Sequence, residues 1–234
     1  MTICDPPIRL KASGSKIQVS SAELEKMRRD FRSHFVALPG LLDESLTAQL
    51  LALVDSVKFC EPPANHSRAT INGLLAGNQL ADTRLSFLFN DDGFFDFIRA
   101  IAGCPPIRAF GGRLIRLLPG VGHYIRWHSD GPDHYYSEPE FKSHDDVSAR
   151  VCALRLNLSR RPYQGAELQF KAQDGTIREC SDKTPGSVVL FDPLKVHGNA
   201  ELEGDLPKTT FVGWFYRFNE GESVPLLKAI KNPA

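Results

Sequence analysis

Two His-x-Asp triplets stand out in the chain, His128-Ser129-Asp130 and His144-Asp145-Asp146. An imidazole and a carboxylate two residues apart face one point when the backbone is extended, because residues i and i+2 of a strand point the same way. His128 and Asp130 close the strand-like run Tyr124-Ile125-Arg126-Trp127 and meet that condition. His144 lies in the charged segment 141–146, where nothing fixes two side chains, and reads as part of a solvated loop. A third ligand is expected from a distant strand facing the same cavity. His197 is the best placed, since it follows the apolar run 187–191 and a turn at Asp192-Pro193. Two histidines and one carboxylate on a rigid face leave three metal positions open, a donor set suited to non-heme Fe(II). Structural zinc more often takes a closed four-ligand shell with thiolates.

The remainder of the 234 residues has to position those donors. Hydrophobic residues make up 42% and charged residues 24%, a globular balance rather than a disordered one. A chain of this length buries enough surface to fold without disulfides or a structural metal. Lys plus Arg number 28 and Asp plus Glu 28, so the formal net charge is zero. Nucleic acid and anionic membranes are therefore not expected partners, since both select clustered positive charge. No apolar run approaches the ~18 residues of a membrane span. The start, Met1 to Asp5 and then Pro6-Pro7, does not have the order of a secretory signal. The five cysteines contain no CxxC pair, as in a reducing compartment, and a cytoplasmic location is expected.

Ser20 followed by Glu23 is a capping-box pattern that predicts a helix over 21–35. Its Lys26, Arg28, Arg29 and Arg32 are interleaved with Glu23, Glu25 and Asp30, as on a solvated face. A short strand at 35–38 stops at Pro39-Gly40. Asp43 caps a second helix, with Leu46, Leu50, Leu53, Val54 and Val57 on one face. A third helix starts at Asp91 or Asp92 and ends at Gly103. Segment 61–82 reads as loop. From Ile107 onward, short strand-type runs at 114–118, 123–128, 150–158, 167–170, 187–191 and 209–218 alternate with turn signals such as Pro119-Gly120, Asp174-Gly175 and Pro185-Gly186. Many short strands at close spacing predict a sandwich or barrel. The expected fold class is α+β, mainly β, with N-terminal helices packed on one sheet. The chain reads as a single domain over 1–234, with a helical region at 1–106, a β core at 107–220 and a tail at 221–234.

In that setting the stretch 118–130, LPGVGHYIRWHSD, resembles the first metal-binding segment of the Fe(II)/2-oxoglutarate-dependent dioxygenases, in their prolyl-hydroxylase-like branch. Further matches follow in the family's order. Residues 150–158, with Leu156-Asn157, resemble its central strand. Gly165-Ala166-Glu167-Leu168-Gln169-Phe170 resembles its GGEL-x-F strand, with Ala166 in place of a glycine. Residues 185–191 resemble the strand before the distal histidine. Lys208, eleven residues after His197 and six before Trp214, stands where the family places the basic residue that binds the cosubstrate. The similarity covers about 107–218.

The resemblance implies a double-stranded β-helix (jelly-roll) core and an Fe(II) site made by His128, Asp130 and His197, which would be the catalytic residues. It implies 2-oxoglutarate as cosubstrate, O2 as oxidant and ascorbate as a supporting reductant. Lys208 would meet the far carboxylate of 2-oxoglutarate as a point charge, with the Thr210 hydroxyl beside it on the same strand face. Arg155 and Asn157 share a strand face and would line the same pocket; for Arg155, cosubstrate contact and simple ion pairing both stay open. The implied reaction hydroxylates an unactivated C–H bond and releases succinate and CO2, and a carboxylate at Asp130 implies hydroxylation rather than halogenation. Tyr124, Arg126 and Trp214 are placed on the substrate side, with a core role for Trp214 beside Phe211, Phe215 and Phe218 as the alternative. Segment 131–149 reads as a lid, a recognition segment or a surface connection. The expected substrate is a small molecule, an amino acid or natural-product intermediate. A protein or peptide residue such as proline is the alternative within the class. A non-catalytic metal- or ligand-binding β-sandwich protein and a zinc hydrolase are the alternatives outside it.

Overall fold

The computed structural model describes residues 19–62, 71–131, 149–172 and 174–217, and the backbone of 8–9 and 16–17. In chain order its first half runs β1 (Ile8–Arg9), β2 (Lys16–Ile17), α1 (Ser21–Ser33), β3 (Val36–Leu38), α2 (Glu44–Asp55), β4 (Phe59–Cys60), β5 (Ile71–Asn72), β6 (Leu74–Ala76), α3 (Gln79–Phe89) and α4 (Asp92–Ala102). The second half is all strand: β7 (Ile107–Leu117), β8 (Tyr124–Ile125), β9 (Arg150–Asn157), β10 (Gln164–Gly165), β11 (Leu168–Lys171), β12 (Ile177–Cys180), β13 (Val188–Phe191), β14 (His197–Asn199), β15 (Leu202–Glu203) and β16 (Lys208–Arg217). His144 and most of segment 131–149 lie outside the described residues, as does the tail at 221–234.

The helices begin where side chains satisfy free N–H groups. At α1 the Ser20 hydroxyl accepts from the Glu23 N–H while the Glu23 carboxylate accepts from the Ser20 N–H. Asp43 and Asp91 accept from the third residue beyond them at the starts of α2 and α4. Helix α4 stops at Gly103, whose φ of 65° closes the last turn in the left-handed region.

Helix α3 begins inside the segment read as loop. Its interior-facing residues include polar ones, so no clean apolar stripe marks it. Those polar residues bond to a strand edge. Asp82, Ser86 and Asn90, spaced four apart along one helix face, accept from the N–H groups of Leu114, Gly112 and Phe110 at 2.8, 3.2 and 2.9 Å. The three N–H groups alternate along β7, whose pairing with β6 covers only Ile115 and Arg116. The helix thus satisfies the part of a strand edge that no neighbouring strand reaches.

Seven strands form one antiparallel sheet in the order β3-β13-β9-β16-β7-β6-β4. A three-stranded sheet, β12-β11-β14, and the pairs β10-β15 and β5-β8 supply the remaining walls. The large sheet has two unlike faces. On β9 and β16, Cys152, Leu154, Leu156, Phe211 and Phe215 join the helices in one apolar core. Phe89, Phe94, Phe110, Phe211 and Phe215 form its aromatic centre. Two paired glycines make room for it: a Cβ on Gly112 would lie 2.7 Å from Phe211 Cζ, and one on Gly213 would lie 2.5 Å from Phe110 Cζ. Alternation sends Ala153, Arg155 and Asn157 of β9, and Lys208, Thr210, Val212 and Trp214 of β16, to the opposite face.

Candidate metal centre and its cavity

That opposite face lines a cavity. His128, Asp130 and His197 lie at one end of it, and Arg155 and Lys208 also line it. The backbone positions the three donors. His128 and His197 exchange two backbone hydrogen bonds, N to O at 2.9 and 2.8 Å, which puts their rings side by side with centroids 4.3 Å apart. The Asp130 N–H donates to the Pro193 carbonyl at 2.7 Å, which ties the last triplet position to the turn before His197.

Each ring is oriented by its own chain. His128 Nδ1 lies 2.7 Å from the Arg126 carbonyl oxygen, and His197 Nδ1 lies 2.9 Å from that of Lys195. A carbonyl only accepts, so the bonded nitrogen in each neutral ring is N–H and Nε2 carries the lone pair. Both Nε2 atoms face one carboxylate: His128 Nε2 is 3.6 Å from Asp130 Oδ1 and His197 Nε2 is 3.6 Å from Oδ2. These separations are too long for hydrogen bonds. They suit a shared ion, and the three ligand atoms lie within 4.8 Å of one another. Two neutral imidazoles and a carboxylate, each fixed by a further hydrogen bond, fit Fe(II) with open positions. Among the described residues no other group of His, Cys, Asp or Glu gathers in this way.

Burial alone would raise the Asp130 pKa. The charge that the His197 and His128 rings carry when protonated, the Arg150 guanidinium and a hydrogen bond from Trp214 more than offset it and hold the carboxyl below its ordinary value. Trp214 Nε1 donates to Asp130 Oδ2 at 2.8 Å, and the Arg150 guanidinium lies 4.0 Å above the Trp214 ring. Trp214 therefore touches a candidate ligand directly as well as packing in the apolar cluster with Phe170, Phe191 and Leu168.

At the other end, Lys208 is buried. Its ammonium donates to the Ala166 carbonyl at 2.9 Å and, in the amide orientation that satisfies both groups, to the Asn199 side-chain oxygen. Ala166, where the family motif has glycine, is the one non-glycine described residue with positive φ, at 50°. Burial first, and then the charge of Arg155, hold the Lys208 pKa well below that of an ordinary lysine. Arg155 donates through Nη2 to the Tyr163 hydroxyl at 3.2 Å.

Other sequence expectations meet different surroundings. Thr210 lines the cavity, but its hydroxyl donates to the Leu156 carbonyl at 3.1 Å rather than into open space. Asn157 shares the Arg155 face, yet its amide nitrogen donates to the carbonyls of Lys183 and Thr184 and its oxygen accepts from the Ser159 N–H. It fastens the turn before β13 and does not line the cavity. Tyr124 and Arg126 also stand off the lining: the Arg126 guanidinium lies 4.4 Å over the Tyr124 ring. Between them Ile125 is the residue that enters the cavity, because neighbours on an extended chain point oppositely. Sequence reasoning also missed Ile71, Ile115 and Asn199 in the lining and Tyr163 behind Arg155. Their only signal is apolar or polar alternation, which many positions share.

The fold is shared with solved Fe(II)/2-oxoglutarate oxygenases. An oxidoreductase of the 2OG-Fe(II) oxygenase family from Burkholderia pseudomallei superposes with a TM-score of 0.60 at 16% identity, over 87% of this chain and 95% of its own. A Pseudomonas putida prolyl-4-hydroxylase gives 0.56 at 17% identity, over 83% and 99%. The non-heme alpha ketoglutarate dependent epimerase SnoN from nogalamycin biosynthesis gives 0.59 at 14% identity, over 88% and 93%. No protein-family model and no curated protein sequence matches the chain.

Proposed function

We propose that the chain is an Fe(II)- and 2-oxoglutarate-dependent dioxygenase with a jelly-roll core that hydroxylates an unactivated C–H bond of a small molecule. The observation that carries this reading is the pair of outward-facing Nε2 atoms on one carboxylate, in the same cavity as two buried cations. His128, Asp130 and His197 would hold the iron. Lys208 and Arg155 would face the far carboxylate of 2-oxoglutarate, with Thr210 as wall. When bound, iron and cosubstrate would supply activation of O2, the oxidant, with one oxygen atom ending in succinate as CO2 leaves and the other in the hydroxylated product. The protein's own part is to place the C–H bond and exclude water. Ile71, Ile115, Ile125, Leu168 and Phe191 give the cavity apolar walls for that purpose.

An amino acid or natural-product intermediate is the substrate class of this reading, with its apolar part against these walls. The likeness in fold to a prolyl-4-hydroxylase supports a second reading, hydroxylation of a protein or peptide residue. No helix among the described residues is long and apolar enough to cross a membrane, and Cys60, Cys104, Cys152 and Cys180 are free thiols. Free thiols are what a reducing compartment leaves, and a cytoplasmic location is part of this reading.

The test is anaerobic addition of 2-oxoglutarate to Fe(II)-loaded protein. The visible band that 2-oxoglutarate gives when it chelates Fe(II) is expected in the natural chain and absent in His197→Ala. Metal binding without that band would leave a metal-binding protein and reject the oxygenase reading. Succinate formation stimulated by free amino acids, and not by prolyl peptides, would separate the two substrate classes.

A further inference from the structure

Charge does not balance at the Lys208 end of the cavity. Arg155 and Lys208 lie on neighbouring strands and are 3% and 1% exposed. The carboxylate acting on Lys208 is that of Glu167, which is already paired with Lys183 at 2.5 Å. Among the described residues the one fully buried carboxylate is Asp130, at the metal end.

The two cations differ in how they are satisfied. The Lys208 ammonium already has two oxygen acceptors, the Ala166 carbonyl and the Asn199 side-chain oxygen. Arg155 has one, the Tyr163 hydroxyl; its Nε and Nη1 are buried with no hydrogen-bond partner. A guanidinium keeps its charge in a protein interior, and buried N–H groups left unbonded are costly. A planar donor set of this kind fits a carboxylate.

We infer that Arg155, rather than Lys208, is the principal charge anchor for the far carboxylate of 2-oxoglutarate, with Lys208 in support. The inference rests on the cosubstrate reading of the cavity. It reverses the weight that the spacing from His197 gives to Lys208.

The experiment is calorimetric titration of 2-oxoglutarate into the Mn(II)-loaded chain, with thermal unfolding as a second readout. Arg155→Leu is expected to raise Kd at least about 30-fold, as removal of one partner of a buried hydrogen-bonded charge pair does. Lys208→Leu is expected to raise it by a smaller factor. Without ligand, Arg155→Leu should melt at or above the natural chain, because a buried unsatisfied charge is gone. Its stabilisation by 2-oxoglutarate should be lost. An equal or larger loss of affinity in Lys208→Leu overturns the inference. Should Arg155→Leu fail to fold, Arg155→Lys keeps the charge without the planar fork; binding at least about tenfold weaker is expected, and unchanged affinity overturns the inference. A natural chain that binds Mn(II) but not 2-oxoglutarate overturns the cosubstrate reading itself and the inference with it.

Discussion

The two faces of one sheet solve opposite problems. Toward the helices, β9 and β16 present Cys152, Leu154, Leu156, Phe211 and Phe215, interlocked with the rings of Phe89, Phe94 and Phe110. Toward the cavity the same strands present Arg155, Lys208, Thr210 and Trp214. The first face is close-packed and apolar, so its residues matter through volume. The second holds buried polar and charged groups whose hydrogen-bonding capacity is partly unused, so its residues matter through charge and donor direction. Stability and chemistry are thereby separated by a single residue step along a strand.

The separation can be broken most directly at the metal end. His197→Ala, or His128→Ala, is expected to abolish turnover and high-affinity metal binding. The metal-free melting temperature should shift less than it does in any large core truncation. A collapse of stability without metal would show that the histidines act as core. The converse change is Phe211→Ala, expected to cost about 3–5 kcal/mol in denaturant unfolding, the range for a buried phenylalanine. At temperatures where the variant is folded, metal affinity should stay close to that of the natural chain.

Trp214 belongs to both descriptions, and Trp214→Phe distinguishes them. The ring remains while the N–H to Asp130 Oδ2 is lost. Metal affinity, read by Co(II) titration, is expected to fall about tenfold, as for other residues that orient a ligand. Unchanged affinity would assign Trp214 to packing alone.

The smallest effect is expected at Asp82, behind the helix face. Burial raises its pKa to about 6, against the Leu114 N–H bond and the Arg113 charge, which lower it. A carboxyl with a raised folded-state pKa adds stability at low pH that is lost as pH rises through about 6. Asp82→Asn keeps an oxygen for the Leu114 N–H and removes that loss. It should melt a few degrees higher than the natural chain at pH 8 and show no gain at pH 4. An equal gain at both values would dissociate the effect from the carboxyl charge.

Local signals reached some elements and not others. Helices α1, α2 and α4 were legible because cap residues precede apolar periodicity, and β9, β13 and β16 because their β-branched, apolar and aromatic runs are bounded by turn residues. Helix α3 escaped because its buried face includes Ser86 and its bonds run to a strand 20 to 32 residues away. Short β12 and β14 escaped because three or four residues carry too little periodicity.

The candidate site divides along the same line. His128-Ser129-Asp130 was legible because an i, i+2 pair on an extended chain converges through local geometry alone. His197 and Lys208 came from order and spacing along the chain, and the fold puts them with Arg155 in one cavity. Which of Tyr124, Ile125 and Arg126 faces inward depends on strand register against β5. That Asn157 bonds to the 183–184 turn, that the Thr210 proton goes to Leu156, and that the Trp214 N–H meets Asp130 depends on neighbours 26 to 84 residues away. Residue type and spacing determined which groups were available for chemistry. Only tertiary structure decided which remain unsatisfied, because hydrogen-bond balance is set by the neighbours a side chain finds after the strands pair.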